Sequence, residues 1–358
     1  MKKLLLSLMI ISLLVGCQQA KETVEVSSDS VEIENTSESY YKMINLGAND
    51  SRTSHYLSFS GTSDLMSIGR GLQLLSSDHF SMSSYYMSEG QYLSLDENKE
   101  LKSYYNSTDH PYSLEPEKNE KIQGMAGMDM IEDIHEQDYY KKNAKGYELS
   151  GVSFAIILDP KKVDGSELKT SITDNTLEEF GKKCIEKLYK AILEMEGLEE
   201  IRDVPVVIAV YKATDPSKSA VDGNYILKAY CDGSVGKISK VNYKNVVFTS
   251  TTAKNLDPTT YNEFVTIKNN LKEASLESSS ITGIGKYIDD KIQSMTIEAH
   301  LNIKTYTEVL YLTTVLENNI TTRFSNDFTI KVLIYSQDEL MAVIIKNHGE
   351  DPVTSFMD

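Results

Sequence analysis

"TLEEFGKKCIEKLYKAILEM" at 176–195, followed by "VVIAVYKA" at 206–213 and "NYILKAYC" at 224–231, decides the fold class. Leu177, Phe180, Cys184, Leu188, Ala191 and Met195 recur at spacings of three and four, which predicts an amphipathic helix over about 177–196. The second stretch is a continuous apolar run, the pattern of a strand covered on both faces. Gly223 and Gly233 mark turns on either side of the third, which reads as another strand. A further strand, "GVSFAIILD" at 151–159, precedes the helix.

The same order returns in the C-terminal third. A helix at about 306–318 is followed by "FTIKVLIYS" at 328–336, a Gln337-Asp338 turn and "ELMAVIIKN" at 339–347, with "ITGIGKYI" and "IQSMTIEAHL" as strands before it. A helix–strand–strand core occurring twice predicts an α+β fold of two related units. The expected domains are 40–240 and 241–358. Thr176–Glu179, Thr260–Glu263 and Thr305–Glu308 each have the spacing of a capping box, in which hydroxyl and carboxylate satisfy the first amides of a helix. Residues 63–145 are less regular, with helical patterns near 64–76 and 127–140.

Composition narrows the function. The chain has 358 residues, 40% of them hydrophobic, enough for one large or two ordinary cores. A formal charge of −17 leaves no basic footprint for a phosphate backbone, so nucleic acid is not an expected partner. Three cysteines, Cys17, Cys184 and Cys231, are too few for a disulfide framework. With Cys17 used otherwise, a Cys184–Cys231 bond is the one remaining pairing, and two buried thiols are the expectation.

The use of Cys17 follows from its surroundings. Lys2 and Lys3 precede "LLLSLMIISLLV" at 4–15, too short to span a bilayer as a helix of about 20 residues, so the segment reads as a secretory signal. Leu14-Val15-Gly16-Cys17 then has the form of a lipobox, cut between Gly16 and Cys17 after the thiol is linked to diacylglycerol. Two acyl chains anchor durably where one is marginal. Residues 1–16 are thus the signal peptide, and 17–39, with six carboxylates and one lysine after Cys17, form an acidic tether. As a flexible coil it would reach on the order of 25 Å.

Familiar catalytic motifs are near misses. Gly69-Arg70-Gly71 and Gly283-Ile284-Gly285 lack the third glycine of a dinucleotide fingerprint and read as turns; Gly233-Ser234-Val235-Gly236-Lys237 has the wrong spacing for a phosphate loop. "HEQDY" at 135–139 lacks the second histidine of a zincin, and His55, His79, His110, His300 and His348 are scattered. One constellation remains in "DMIEDIHEQD". On a helix, Asp129, Glu132, Asp133 and Glu136 would share a face, with His135 and Asp138 nearby. A solvated acidic face is the leading reading; a divalent cation relieving the like-charge repulsion is the alternative.

Several stretches together, in consistent order, resemble the CamS family of sex pheromone lipoprotein precursors from Gram-positive bacteria. They are the lipobox, "SEGQYL" at 88–93, "EQDYY" at 136–140, "LSGVSFAIILDP" at 149–160, "VPVVIAVYKA" at 204–213, "GNYILKAYCDG" at 223–233 and "ITGIGKYI" at 281–288. The resemblance implies a lipid-anchored protein on the outer face of the cytoplasmic membrane. It also implies that the discarded signal peptide is trimmed to a short peptide sensed by conjugative plasmids in other bacteria, here within Ile10, Ile11, Ser12, Leu13, Leu14, Val15 and Gly16. The family brings no catalytic residues.

The leading expectation is therefore a non-enzymatic surface lipoprotein without cofactor. Its expected partners are the membrane, through the diacylglyceryl group on Cys17, the lipoprotein diacylglyceryl transferase and signal peptidase that mature it, and an unknown extracellular ligand. The alternatives are an extracellular hydrolase or metal-dependent enzyme using the acidic helix 129–138, and the solute-binding lipoprotein of an importer.

Overall fold

A computed structural model describes residues 23–24, 40–47, 49–52, 62–214, 221–275, 279–302, 305–325 and 327–357. Their strands form two sheets. The first contains β1 (Thr23–Val24), β2 (Lys42–Met43), β3 (Tyr86–Glu89), β4 (Met128–Asn143), β5 (Gly146–Lys162), β6 (Val206–Lys212), β7 (Asn224–Cys231) and β8 (Ser239–Lys240). They run in the order β2-β3-β4-β5-β6-β7-β8, with β1 beside β5. Residues 23 and 24 of the expected tether thus pair with Glu148 and Tyr147.

The second sheet holds β9 (Tyr243–Val247), β10 (Ser279–Ile288), β11 (Lys291–Leu301), β12 (Thr329–Ser336), β13 (Glu339–Lys346) and β14 (Val353–Phe356), in the order β14-β13-β12-β11-β10-β9. The helices are α1 (Thr62–Ser76), α2 (Leu95–Lys102), α3 (Asp174–Glu194), α4 (Thr251–Leu256), α5 (Pro258–Ala274) and α6 (Tyr306–Arg323).

The fold is α+β, and its two units share one wiring. In each, an antiparallel hairpin (β4–β5, β10–β11) leads through a helix (α3, α6) to a strand parallel to the hairpin's second member, and an antiparallel strand follows. The likeness extends to irregularities. Register slips between Val210 and Tyr211 in β6, and between Ile334 and Tyr335 in β12. Just past the strand ends, Ala213 N donates to Leu158 O at 2.9 Å and Gln337 N to Leu301 O at 3.2 Å. Among the described strands, parallel pairing is confined to β2–β3, β5–β6 and β11–β12, unlike the parallel sheets of two doubly wound lobes.

The continuous apolar runs of β5 and β6 are covered on both faces. Phe154, Ile156, Leu158, Ile208 and Val210 join Cys184, Leu188 and Ile192 of α3 in one core. Ala155, Ile157, Ala209 and Tyr211 meet Ile68, Leu72 and Leu75 of α1 in another. Alternate residues of a strand point to opposite faces, so a run without polar positions suits this sandwiched place. The second sheet differs. Met295, Ile297, Ala299 and Leu301 of β11 are buried with α5 and α6, whereas Thr296 and Glu298 between them are half-buried and His300 is exposed.

The two sheets are separated in sequence by Val241 and Asn242 alone. Tyr243 crosses into the α1-side core, its ring centroid 6.0 Å from that of Tyr225. Asn245 Nδ2 donates to Gly223 O at 2.7 Å, and Lys286 lies 3.7 Å from Asp222.

Helix starts correct two of the sequence expectations. Thr173, not Thr176, caps α3, because its hydroxyl accepts the Thr176 amide. Asp257, not Thr260, caps α5, accepting the Thr260 amide at 3.0 Å with Pro258 in the first turn. Thr305 and Glu308 do form a capping box on α6. The glycines at 69, 71, 283 and 285 are not turns. Gly69 and Gly71 lie inside α1, and Gly283 and Gly285 inside β10, where an added Cβ would fall 2.6 and 2.5 Å from Phe264 and Phe248.

Candidate functional site

The expected acidic helix at 127–140 is a strand. Residues 128–143 form β4, paired along its length with β5 through a hairpin that turns at Gly146, whose φ is +132°. The helical alignment of Asp129, Glu132, Asp133 and Glu136 is therefore lost, and each goes elsewhere. Asp129 is exposed, and Glu132 pairs with Lys161. Asp133 accepts from Asn98 Nδ2 at 3.1 Å, Lys102 Nζ at 3.2 Å and the Ile134 amide at 2.9 Å. No group of three or more His, Cys, Asp or Glu among the described residues is placed to hold a metal ion. The acidic helix assumed by the metal-dependent reading is not formed, since these residues belong to β4.

Glu136 and Asp138, two residues apart, share a face of β4 and are buried. The loop after β3 closes over them. Glu136 accepts the Tyr92 amide at 3.1 Å and the Leu93 amide at 2.7 Å, and Asp138 accepts the Gln91 amide at 2.9 Å. Such close contact requires Gly90, where a Cβ would stand 2.5 Å from Glu136 Cβ and 2.7 Å from its Oε2. Burial, and then the Glu136 charge, push the Asp138 carboxyl well above the usual range. Burial raises Glu136 too, while the Leu93 and Tyr92 amides oppose it. Both carboxyls are thus raised by burial, Asp138 further by its charged neighbour, while the amides oppose the rise at Glu136. Glu115 is a further enclosed carboxyl. It accepts the amides of Met130 at 3.0 Å and Ile131 at 2.6 Å, and burial beside Asp129 pushes it up to about 9.

These groups fasten loops to a central strand and do not open onto solvent. A concave surface lies beside α3. A cleft of about 330 Å³ is lined by Tyr105, Pro111, Tyr112, Leu114, Pro116, Glu117 and Glu120 on one wall and by Phe180, Lys183, Lys187 and Lys190 of α3 on the other. Lys187 Nζ donates to Ser113 O at 3.1 Å and lies 4.9 Å from the Tyr105 ring centroid, so it ties the walls together. Lys183 and Lys190 are exposed, and Lys190 reaches Glu194 only at 3.8 Å. The spacing of Phe180, Lys183, Lys187 and Lys190 on the helix was the available signal. Sequence reasoning, drawn to the acidic stretch, passed over it.

The family model described as the CamS sex pheromone cAM373 precursor matches residues 48–352. The chain belongs to the CamS family. Two solved structures share its fold. The sex pheromone precursor of Lactobacillus salivarius subsp. salivarius UCC118 aligns with a TM-score of 0.77 at 22% identity, over 92% of this chain and 99% of that one. The C-terminal domain of the sex pheromone staph-cAM373 precursor from Staphylococcus aureus aligns at 0.67 and 19%, over 84% and 98%. No curated protein matches the chain.

Two stretches that carried the CamS resemblance, "SEGQYL" and "EQDYY", turn out to be the halves of one contact, the 90–93 loop on Glu136 and Asp138. The remaining predicted sites, Ile10, Ile11, Ser12, Leu13, Leu14, Val15, Gly16 and Cys17, lie outside the described residues. Cys184 and Cys231 are free, buried thiols. Burial pushes Cys231 up to about 11 and Cys184 higher still, so both stay protonated at neutral pH. No helix among the described residues is long and apolar enough to cross a membrane.

Proposed function

We propose that this CamS member is a lipoprotein held on the outer face of the cytoplasmic membrane by a diacylglyceryl thioether on Cys17. The observation that carries this reading is Leu14-Val15-Gly16-Cys17 directly after a short, lysine-led apolar run. In this reading the diacylglyceryl transferase modifies Cys17 and the lipoprotein signal peptidase cuts after Gly16. The released segment is then trimmed to a pheromone within residues 10–16. Conjugation assays with synthetic peptides ending at Gly16 test that step; a plasmid-transfer response at one trim length supports it, and silence at every length contradicts it.

The folded body acts as a non-enzymatic binding module with its ligand in the cleft beside α3. Support comes from the enclosure of Glu136, Asp138 and Glu115 by backbone amides, which leaves them to positioning, and from a cleft of the size that takes one small ligand. An NMR fragment screen on the full chain tests this. Fragments that shift the Tyr105 and Tyr112 ring signals support it; a screen in which none does contradicts it.

A further inference from the structure

We infer that the cleft between α3 and the 105–120 loop binds a phosphorylated sugar, an inference that rests on the binding-module reading. Its volume, about 330 Å³, lies at the small end of single-ligand pockets. Three kinds of group line it, and each matches one part of such a molecule. The half-buried rings of Tyr105 and Tyr112, with exposed Pro111 and backed by buried Phe180 and Pro116, offer apolar surface to the C–H side of a pyranose. Glu117 and Glu120 are exposed carboxylates, acceptors for hydroxyl groups. Lys183 and Lys190, seven residues apart on α3, stand about 10 Å apart along one side of the helix with exposed ammonium groups. Ammonium groups bind phosphate as point charges.

Charge distribution favours an anion over a neutral glycan. The chain carries a formal −17, yet the cleft lining has three lysines against two glutamates. Lys187 is already engaged with the Ser113 carbonyl and the Tyr105 ring, which fixes it in the cleft wall and leaves Lys183, with Lys190 drawn from its long 3.8 Å pair with Glu194, to meet the phosphate. A bare phosphate would leave the aromatic wall unused, and a neutral sugar would leave the lysines unused. The two surfaces side by side call for a ligand carrying both.

The test is calorimetry and NMR on the full chain in detergent, with glucose 1-phosphate, glucose and inorganic phosphate as probes. The expected result is binding of glucose 1-phosphate about tenfold tighter than either fragment, with shifts of the Tyr105 and Tyr112 signals and weakening as salt rises. A Lys183→Gln, Lys190→Gln double variant, changed only at exposed positions, should lose about tenfold in affinity, and Lys182→Gln on the same helix but off the lining should lose little. Glucose binding as tightly as its phosphate, no binding of the phosphate, or equal losses in the double variant and Lys182→Gln would each overturn the inference. If neutral or cationic fragments still shift Tyr105 and Tyr112, the ligand class is wrong and the binding module stands; if nothing shifts them, both fall.

Discussion

The Leu93 amide donates to Glu136 Oε2 at 2.7 Å across 43 residues of chain, and with Tyr92 it gives one buried carboxylate the task of holding a loop on a central strand. Replacing Glu136 with Ala leaves these amides buried without an acceptor, at about 1–3 kcal/mol for each group so stranded. Glu136→Gln keeps an acceptor and should cost less than Glu136→Ala. Urea unfolding of the three proteins checks the order; equal midpoints would refute the role given to Glu136.

Gly90 and Gly69 should respond to alanine in opposite directions. At Gly90 the new Cβ meets Glu136 at 2.5 Å, an overpacking that costs about 1–3 kcal/mol. At Gly69, inside α1, the nearest atom is Gln137 Nε2 at 3.5 Å, so Gly69→Ala should gain about 0.5–1 kcal/mol from helix propensity. Thermal melts of both variants read the two signs.

Stability should fall as pH rises through the window set by Glu115. Its carboxyl ionises near 4.5 when unfolded and near 9 in the fold, so the fold favours the protonated form. That contribution is complete below about 4.5 and is lost as pH climbs toward 9. Glu136 and Asp138, also raised, act in the same direction. Glu115→Gln keeps an acceptor for the Met130 and Ile131 amides, and the slope of unfolding free energy against pH should flatten in this variant. An unchanged slope would contradict the assignment.

The two internal thiols should be silent in the native state. Both are buried, free and shifted upward by that burial, so a thiol reagent at pH 8 should modify neither Cys184 nor Cys231 until denaturant is added. Rapid modification of the folded chain would show that one of them is accessible.

Where each element competes with few alternatives, the sequence was enough to read it. The stripe Leu177 to Met195 and the runs at 206–213 and 224–231 became α3, β6 and β7, and the second unit followed the same order. The stretch 129–138 misled because its carboxylates fall at helical spacing while its conformation is set by β5, a partner 17 residues long joined by a tight hairpin. A strand with buried polar groups on both faces has no alternation to betray it. Glu136 and Asp138 look like surface charge until the amides of residues 91–93 arrive from another part of the chain. The cleft was hidden for a similar reason, since its second wall, Tyr105 to Glu120, is mostly loop.

The most direct test of the account is the mass of the mature N-terminus, taken from the chain expressed in a Gram-positive host and fractionated into membrane and medium. The expected result is a membrane-bound protein that begins at Cys17 and carries a diacylglyceryl thioether, and release of an uncut or unlipidated form by Cys17→Ser. A native protein in the medium with an unmodified Cys17, or one cut at another position, would contradict it.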